Sequence, residues 1–300
     1  MFKIAYHPHY ILPLPKGHRF PMIKYELIHS QLLHQGIVAE DCFFEPSPVS
    51  ESSILLTHEQ TYWNRLKAFE LTYYEVRRIG FPLSERLLER EVRIVEGTIL
   101  SSLNALQEGV SFNIAGGTHH AGSNWGEGFC LLNDQAIAAN YLLSKKYCSK
   151  ILIIDLDVHQ GNGTAEIFKA NTQVFTFSMH CQNNFPFKKE HSDLDIGLRD
   201  NTQNDEYLEV LKINLENLFS REKPDFVFYL AGVDILESDK LGKLAISGKG
   251  CEERDLLVFQ YCKDFNVPVQ VSMGGGYSVQ LRAIIDAHCN TFKQALKVFY

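Results

Sequence analysis

With 300 residues, 45% of them hydrophobic, the chain can bury a large core and needs no disulfide or structural-metal staple. A net charge of −7, with acidic and basic residues interspersed, argues against a nucleic-acid surface, and no apolar run approaches the ~20 residues of a membrane span. Seven cysteines (42, 130, 148, 181, 251, 262 and 289), odd in number and without C-x-x-C spacing, read as reduced thiols of a cytoplasmic protein.

The first residues, from Met1 onward, lack the long apolar segment of a signal peptide and enter a short strand over Lys3–Tyr6. A proline-rich loop comes next at 11–17, then a helix over Tyr25–His34, a break at Pro46-Ser47-Pro48 and a helix over Arg86–Glu108. From there strands and helices alternate: Ser111–Ala115, a helix over Asn133–Lys145, Ile151–Asp155, Val174–Ser178, a helix over Asp205–Phe219, Phe226–Leu230, a helix over Cys251–Phe265, and Val269–Ser272. Such alternation predicts a mainly parallel sheet covered by helices on both faces. No repeat, low-complexity tract or long linker divides the chain, so one domain over 1–300 is expected.

The segments just past the strands carry the chemistry. Parallel sheets bind ligands beyond the carboxyl ends of their strands. Five strand ends here bear histidine, aspartate or tyrosine, most of them beside glycine: Gly116-Gly117-Thr118-His119-His120, Asp155-Leu156-Asp157-Val158-His159, Ser178-Met179-His180, Ala231-Gly232-Val233-Asp234, and Gly274-Gly275-Gly276-Tyr277. Asp157 and His159, two apart in an extended segment, project to one side and supply two ligands of a three-ligand metal site. Gly161-Asn162-Gly163 is expected to stop the strand and turn a loop over the site.

Asp234 is the third candidate ligand; alone it would more often cap a helix. Two carboxylates and an imidazole suit Zn²⁺, and also Fe²⁺ or Co²⁺. His119 and His120 diverge as consecutive residues, which favours acid–base work over joint ligation, although a lone loop histidine usually makes only a hydrogen bond. Gly274–Gly276 lacks phosphate-loop spacing. Tyr277, presented on that flexible turn, can swing a hydroxyl toward an oxyanion, whereas most tyrosines simply pack. The glycine-rich loop 122–130, with Trp125 and Phe129, can wall a narrow apolar channel. Histidines 7, 9, 29, 34, 58, 180, 191 and 288 read as structural, His180 alone standing at a strand end, and no cysteine has the histidine partner of a thiol enzyme.

Together these segments resemble the zinc-dependent histone deacetylase family. The matching pieces are Gly116–Ala121, Gly128-Phe129-Cys130-Leu131-Leu132-Asn133-Asp134, Asp155–Gly163, Ala231–Asp234 and Gly274–Tyr277, in family order. His18-Arg19-Phe20-Pro21-Met22, Lys24-Tyr25 and the Asp157–Gly163 run are most similar to the class IV branch, which has many bacterial members. The resemblance implies a single-domain arginase/deacetylase α/β fold around an eight-stranded, mostly parallel sheet. It implies zinc on Asp157, His159 and Asp234, His120 as general base and acid, His119 as its electrostatic companion, and Tyr277 polarising the carbonyl. It implies an acyl-lysine tunnel walled by Gly128, Phe129, Phe185 and Leu241. A monovalent cation, K⁺, would sit at Asp155, Asp157, His159, Ser178 and Met179.

One departure stands out. The family aspartate behind the second active-site histidine matches Asn162 here, while Asp155 should still pair with His119. A neutral amide stabilises imidazolium less than a carboxylate does, so His120 should have the lower pKa of the two, and Asn162→Asp should raise the acidic limb of the pH–rate profile. The expected activity is hydrolysis of an acyl group from the Nε of lysine in a protein or peptide. A hydrolase of small acylated amines such as acetylpolyamines, and a catalytically silent acyl-lysine reader, are the alternatives. Acyl length, target and oligomeric state have no signature in the sequence.

Overall fold

The most apolar segments of the chain form the middle of one sheet. In the computed structural model, which describes residues 2–300, the strands are β1 (Ile4–Ala5), β2 (Phe43–Phe44), β3 (Val110–Asn113), β4 (Ile151–Asp155), β5 (Val174–Cys181), β6 (Leu194–Leu198), β7 (Phe226–Leu230) and β8 (Val269–Ser272). They pair in the order β2-β1-β3-β8-β7-β4-β5-β6, every pairing parallel. β3, β4, β7 and β8 are buried along their whole length, as strands covered on both faces must be. The edge strands β2 and β6 are largely half-buried.

β4, β7 and β8 have the expected bounds. β3 begins and ends earlier than the expected 111–115, because the Ala115 amide donates to the Asn113 side chain (3.2 Å) and the chain then turns through Gly116 at φ +82°. β2 and β6 were not expected: the first has two residues, and the second carries Asp195 and Gly197. Both are edge strands, which need no apolar alternation to pair.

The five expected helices are present as Lys24–His34, Glu85–Glu108, Asp134–Ser144, Asn204–Glu222 and Gly248–Asp264. The long one starts where Ser84 Oγ accepts from the Leu87 amide (3.2 Å) and stops at Gly109, φ +88°. Gly97 lets it lie against the sheet, since a Cβ there would fall 2.5 Å from the Tyr10 hydroxyl and 3.1 Å from Ala5 Cβ. A 19-residue helix, Leu281–Phe299, was not expected. Its cap position is Gln280, whose side chain makes no capping bond, so the usual start signal is missing. The shorter helices Glu51–Ile54, Gln60–Lys67 and Tyr73–Ile79 were also unforeseen.

Gly161-Asn162-Gly163 corrects a sequence expectation. It turns no free loop over the site; Asn162 begins a helix, Asn162–Phe168. The Gly163 and Thr164 amides at that helix start donate to the His119 carbonyl (2.9 and 3.1 Å). A Cβ on Gly163 would lie 2.2 Å from the Ala121 carbonyl oxygen, so glycine is what allows the approach.

Among the described residues, no helix is long and apolar enough to cross a membrane, and all seven cysteines are free thiols.

Candidate metal-dependent active site

The sheet order decides which strand ends meet. β3, β8, β7, β4 and β5 are consecutive neighbours, and these are the five strands whose ends bear the histidine-, aspartate- and tyrosine-containing segments. Asp155 is in register with Leu230 on one side and Ser178 on the other, and Leu230 with Ser272. The ends therefore lie at one level, and those of β3, β4 and β8 line a cleft of about 360 Å³. Its lining includes His119, His120, Asp157, His159 and Tyr277.

Asp157, His159 and Asp234 converge there, with potential ligand atoms all within 4.8 Å of one another and all three residues buried. His159 Nδ1 lies 2.9 Å from Asp157 Oδ1 and 3.2 Å from Asp234 Oδ2. Asp234 caps no helix; its Oδ1 accepts from the Val158 amide (3.0 Å), which ties the segment after β7 to the segment after β4. Its Oδ2 has the His159 ring as its near polar neighbour and no backbone amide on it. A Cβ on Gly275 would fall 1.9 Å from that oxygen and 2.7 Å from Asp157 Oδ2, so a glycine keeps open the space both carboxylates face.

The electrostatics ask for a cation. Burial, then the neighbouring Asp157 carboxylate, push the Asp234 carboxyl up to about 7. Burial opposes charging of His159, but its hydrogen bonds to Asp157 and Asp234 and their charges outweigh it and raise it to about 10. Two buried carboxylates and an imidazole between them, with potential ligand atoms within 4.8 Å of one another, fit a divalent metal.

The histidine pair is arranged as expected. His119 Nδ1–H donates to Asp155 Oδ2 (2.7 Å), and His120 Nδ1 meets the Asn162 carbonyl oxygen at 2.7 Å. Burial acts against the charged form of both. At His119 the Asp155 and Asp157 charges overcome it, and its pKa is raised. At His120 burial combines with repulsion from His119 and His159 to hold it well below the ordinary histidine value. His120 is therefore the neutral member, ready to accept a proton.

Tyr277 differs from the expected mobile turn. Its ring packs at 5.8 Å from Phe20 and 6.0 Å from Phe129, and its amide donates to Asp239 Oδ2 (2.6 Å). Burial raises its hydroxyl well above the usual tyrosine value, so it stays a proton donor. The same Asp239 carboxylate accepts from the Leu241 and Gly242 amides, coupling the tyrosine turn to the cleft wall.

Gly128, Phe129, Phe185 and Leu241 all line the cleft. A Cβ on Gly128 would lie 2.6 Å from His120 Cδ2, so the cleft wall touches the His120 ring directly. Asp155, Ser178 and Met179 are buried where β4 and β5 pair.

Several contributors had no role assigned from the sequence, although Lys24 and Asp134 lie in the matched segments. Lys24 is fully buried, donates from Nζ to the Gly274 carbonyl (2.8 Å), and is lowered to about 8 by burial against the pull of Asp234 and Asp157. Asp134 accepts from the Thr118 amide and hydroxyl (2.9 and 2.7 Å) and fixes the loop that carries the histidines. Glu127 accepts from the Asn162 side-chain amide. Only three-dimensional proximity marks Glu127 and Asp239.

A profile of the histone deacetylase domain matches residues 18–292. An uncharacterized protein of Picosynechococcus sp. is 43% identical over 99% of both chains. Histone deacetylase 2 of Arabidopsis thaliana is 31% identical over 94% of this chain and 76% of its own length. Among solved structures, that of an HDAC homolog from Aquifex aeolicus is similar in fold, with a TM-score of 0.83 and 24% identity over 98% of this chain and 83% of that one.

Proposed function

From the premise that the chain belongs to the histone deacetylase family, we propose that it is a metal-dependent amidohydrolase releasing acetyl or longer acyl groups from the Nε of lysine. The observation that carries this reading is the Asp157–His159–Asp234 cluster beside two buried histidine dyads at one end of the cleft.

Asp157, His159 and Asp234 would hold the metal, Zn²⁺ first and Fe²⁺ or Co²⁺ as alternatives. When bound, such an ion polarises the amide carbonyl and acidifies water. The residues supply the rest. Phe129 and Phe185 hold the acyl-lysine stem, and Gly128 leaves room for it beside His120. His120 accepts the proton of the attacking water at Nε2, because its Nδ1–H is committed to Asn162. Tyr277 donates its hydroxyl proton as a hydrogen bond to the oxyanion. His120 then returns its proton to the departing lysine amine, with His119 hydrogen-bonded to Asp155 beside it. Asp155, Asp157, His159, Ser178 and Met179 would carry K⁺ behind the dyads. The whole of 1–300 would act as one catalytic domain, in the cytoplasm, where unpaired thiols persist.

Arg19, Arg78, Arg90 and Lys243 line the cleft, but Arg78, Arg90 and Lys243 are paired with Glu127, Glu91 and Asp200. Competition between acyl-lysine peptides and acetylpolyamines therefore decides between the two substrate classes. The intact His120 and Tyr277 favour catalysis over a silent reader.

The test is metal analysis of the purified protein with turnover of a fluorogenic acyl-lysine peptide, run from acetyl to myristoyl and against acetylpolyamines. His120→Ala should lower kcat ~10²–10⁴-fold while metal content holds. Metal-free protein, or turnover indifferent to His120→Ala, would reject the reading.

A further inference from the structure

His120 can act as a base at Nε2 only if its other nitrogen carries the proton. That nitrogen faces Asn162, and an asparagine side chain can present either of two ends. Its carbonyl oxygen would accept from Nδ1–H, whereas its NH₂ would donate to a bare Nδ1 and move the proton to Nε2. The two ends are nearly equal in size, so shape alone does not choose between them. A carboxylate at this position would have no such ambiguity, because both of its oxygens accept.

Glu127 removes the ambiguity. Its Oε1 accepts from Asn162 Nδ2 at 2.5 Å, and its Oε2 accepts from Arg78 Nε at 2.5 Å. The side chain is 7% exposed, while that of Arg78 is half-exposed over the Trp125 ring. The Glu127 segment is itself anchored: the Gly128 and Phe129 amides donate to the Arg78 and Ile79 carbonyls at 3.1 and 2.7 Å. An ionised carboxylate only accepts, so the reversed amide would set oxygen against oxygen at a buried contact. We propose that Glu127 is a positioning residue: by holding the Asn162 amide in one orientation it fixes His120 in the Nδ1–H tautomer. This rests on the reading of His120 as the general base, but the tautomer itself can be observed without turnover.

The variants are Glu127→Gln and the pair Glu127→Gln with Asn162→Asp. Glutamine at 127 can donate or accept toward Asn162, so both amide orientations become available. An aspartate at 162 restores an acceptor-only partner for His120 and takes a donor from the glutamine. The readouts are the ¹⁵N signature of the His120 ring in histidine-labelled holoprotein, assigned by its loss in His120→Asn, and kcat and KM on an acyl-lysine peptide.

The wild-type ring should be a single Nδ1–H tautomer. Glu127→Gln should show two tautomers and lose about 2- to 10-fold in kcat, with KM unchanged, as the productive fraction falls. The double variant should return to one tautomer and recover kcat. A single unchanged tautomer in Glu127→Gln, or a mixture persisting in the double variant, overturns the proposal. Should the wild type turn over no acyl-lysine while the tautomers respond as stated, the activity reading fails and the positioning role stands.

Discussion

Gly275→Ala isolates the geometry of the metal site from the rest of the fold. The backbone at 275 is not in the left-handed region, so alanine is conformationally permitted there. Its methyl carbon would start 1.9 Å from Asp234 Oδ2 and 2.7 Å from Asp157 Oδ2. Relief from 1.9 Å to an ordinary contact needs a retreat of roughly 1.5 Å, several times the ~0.2 Å tolerance of a metal–ligand distance. Asp234 has little freedom to yield, since its other oxygen is held by the Val158 amide at 3.0 Å. A fall of about 100-fold in metal affinity is expected. A loss of that size removes about 2.7 kcal/mol of metal-linked stability. Across 300 residues that is about 4 °C in Tm. The assays are metal content after dialysis and the Tm difference with and without added Zn²⁺. Gly248→Ala is the control, because a Cβ there meets nothing within 4 Å. If Gly275→Ala keeps one equivalent of metal and wild-type turnover, the assignment of the space beside Gly275 to the metal is wrong.

The same geometry makes three further outcomes testable. Tyr277→Phe should lower kcat ~10²–10³-fold with metal content and fold intact; an unchanged kcat would remove the tyrosine from the oxyanion site. Asn162→Asp alone should leave the acidic limb of the pH–rate profile nearly unmoved, contrary to the expectation from sequence. The new carboxyl would face Glu127, whose charge Arg78 anchors, and would hold a proton between them. Only with Glu127→Gln added should the limb rise, as a true carboxylate then raises the His120 pKa; a full upward shift in the single variant would refute this. His58 is lowered to about 4 by burial and accepts the Asn133 amide at Nε2 (3.0 Å). Its unfolded form takes up a proton below about pH 6.5 that the folded form refuses, so stability falls with pH from there toward 4. By pH 5 the loss is about 2 kcal/mol, and His58→Gln should flatten the decline in Tm between pH 7 and 5. An unchanged slope would place the acid sensitivity elsewhere.

Legibility tracked physical cause. β4, β7 and β8 could be read because central parallel strands are buried on both faces and their runs are largely apolar. The edge strand β6 could not, since Leu194–Leu198 includes an aspartate and a glycine and is mostly half-buried. Leu281–Phe299 escaped for want of a capping residue, although its buried positions recur with helical spacing at Ile284, His288, Thr291 and Ala295. The site residues showed a similar split. Asp157, His159, His119, His120 and Tyr277 stand near glycines at strand ends and are conspicuous in one dimension. Glu127 reaches Asn162 across 35 positions and Asp239 reaches the Tyr277 amide across 38, and nothing local announces either contact.

The sequence by itself determined the central strands, five of the longer helices and the residues at the strand ends, because burial periodicity, glycine placement and the spacing of Asp157 and His159 are local properties of the chain. Tertiary structure decided the adjacency. Strands that come third, fourth, fifth, seventh and eighth along the chain become neighbours only in the order β3-β8-β7-β4-β5, which brings Asp234 and Gly275 to Asp157. It also set a buried carboxylate behind Asn162, and so the orientation of an amide whose two ends the sequence cannot tell apart. Pairing order and the contents of a buried hydrogen-bond network arise from long-range packing, and no window of neighbouring residues contains them.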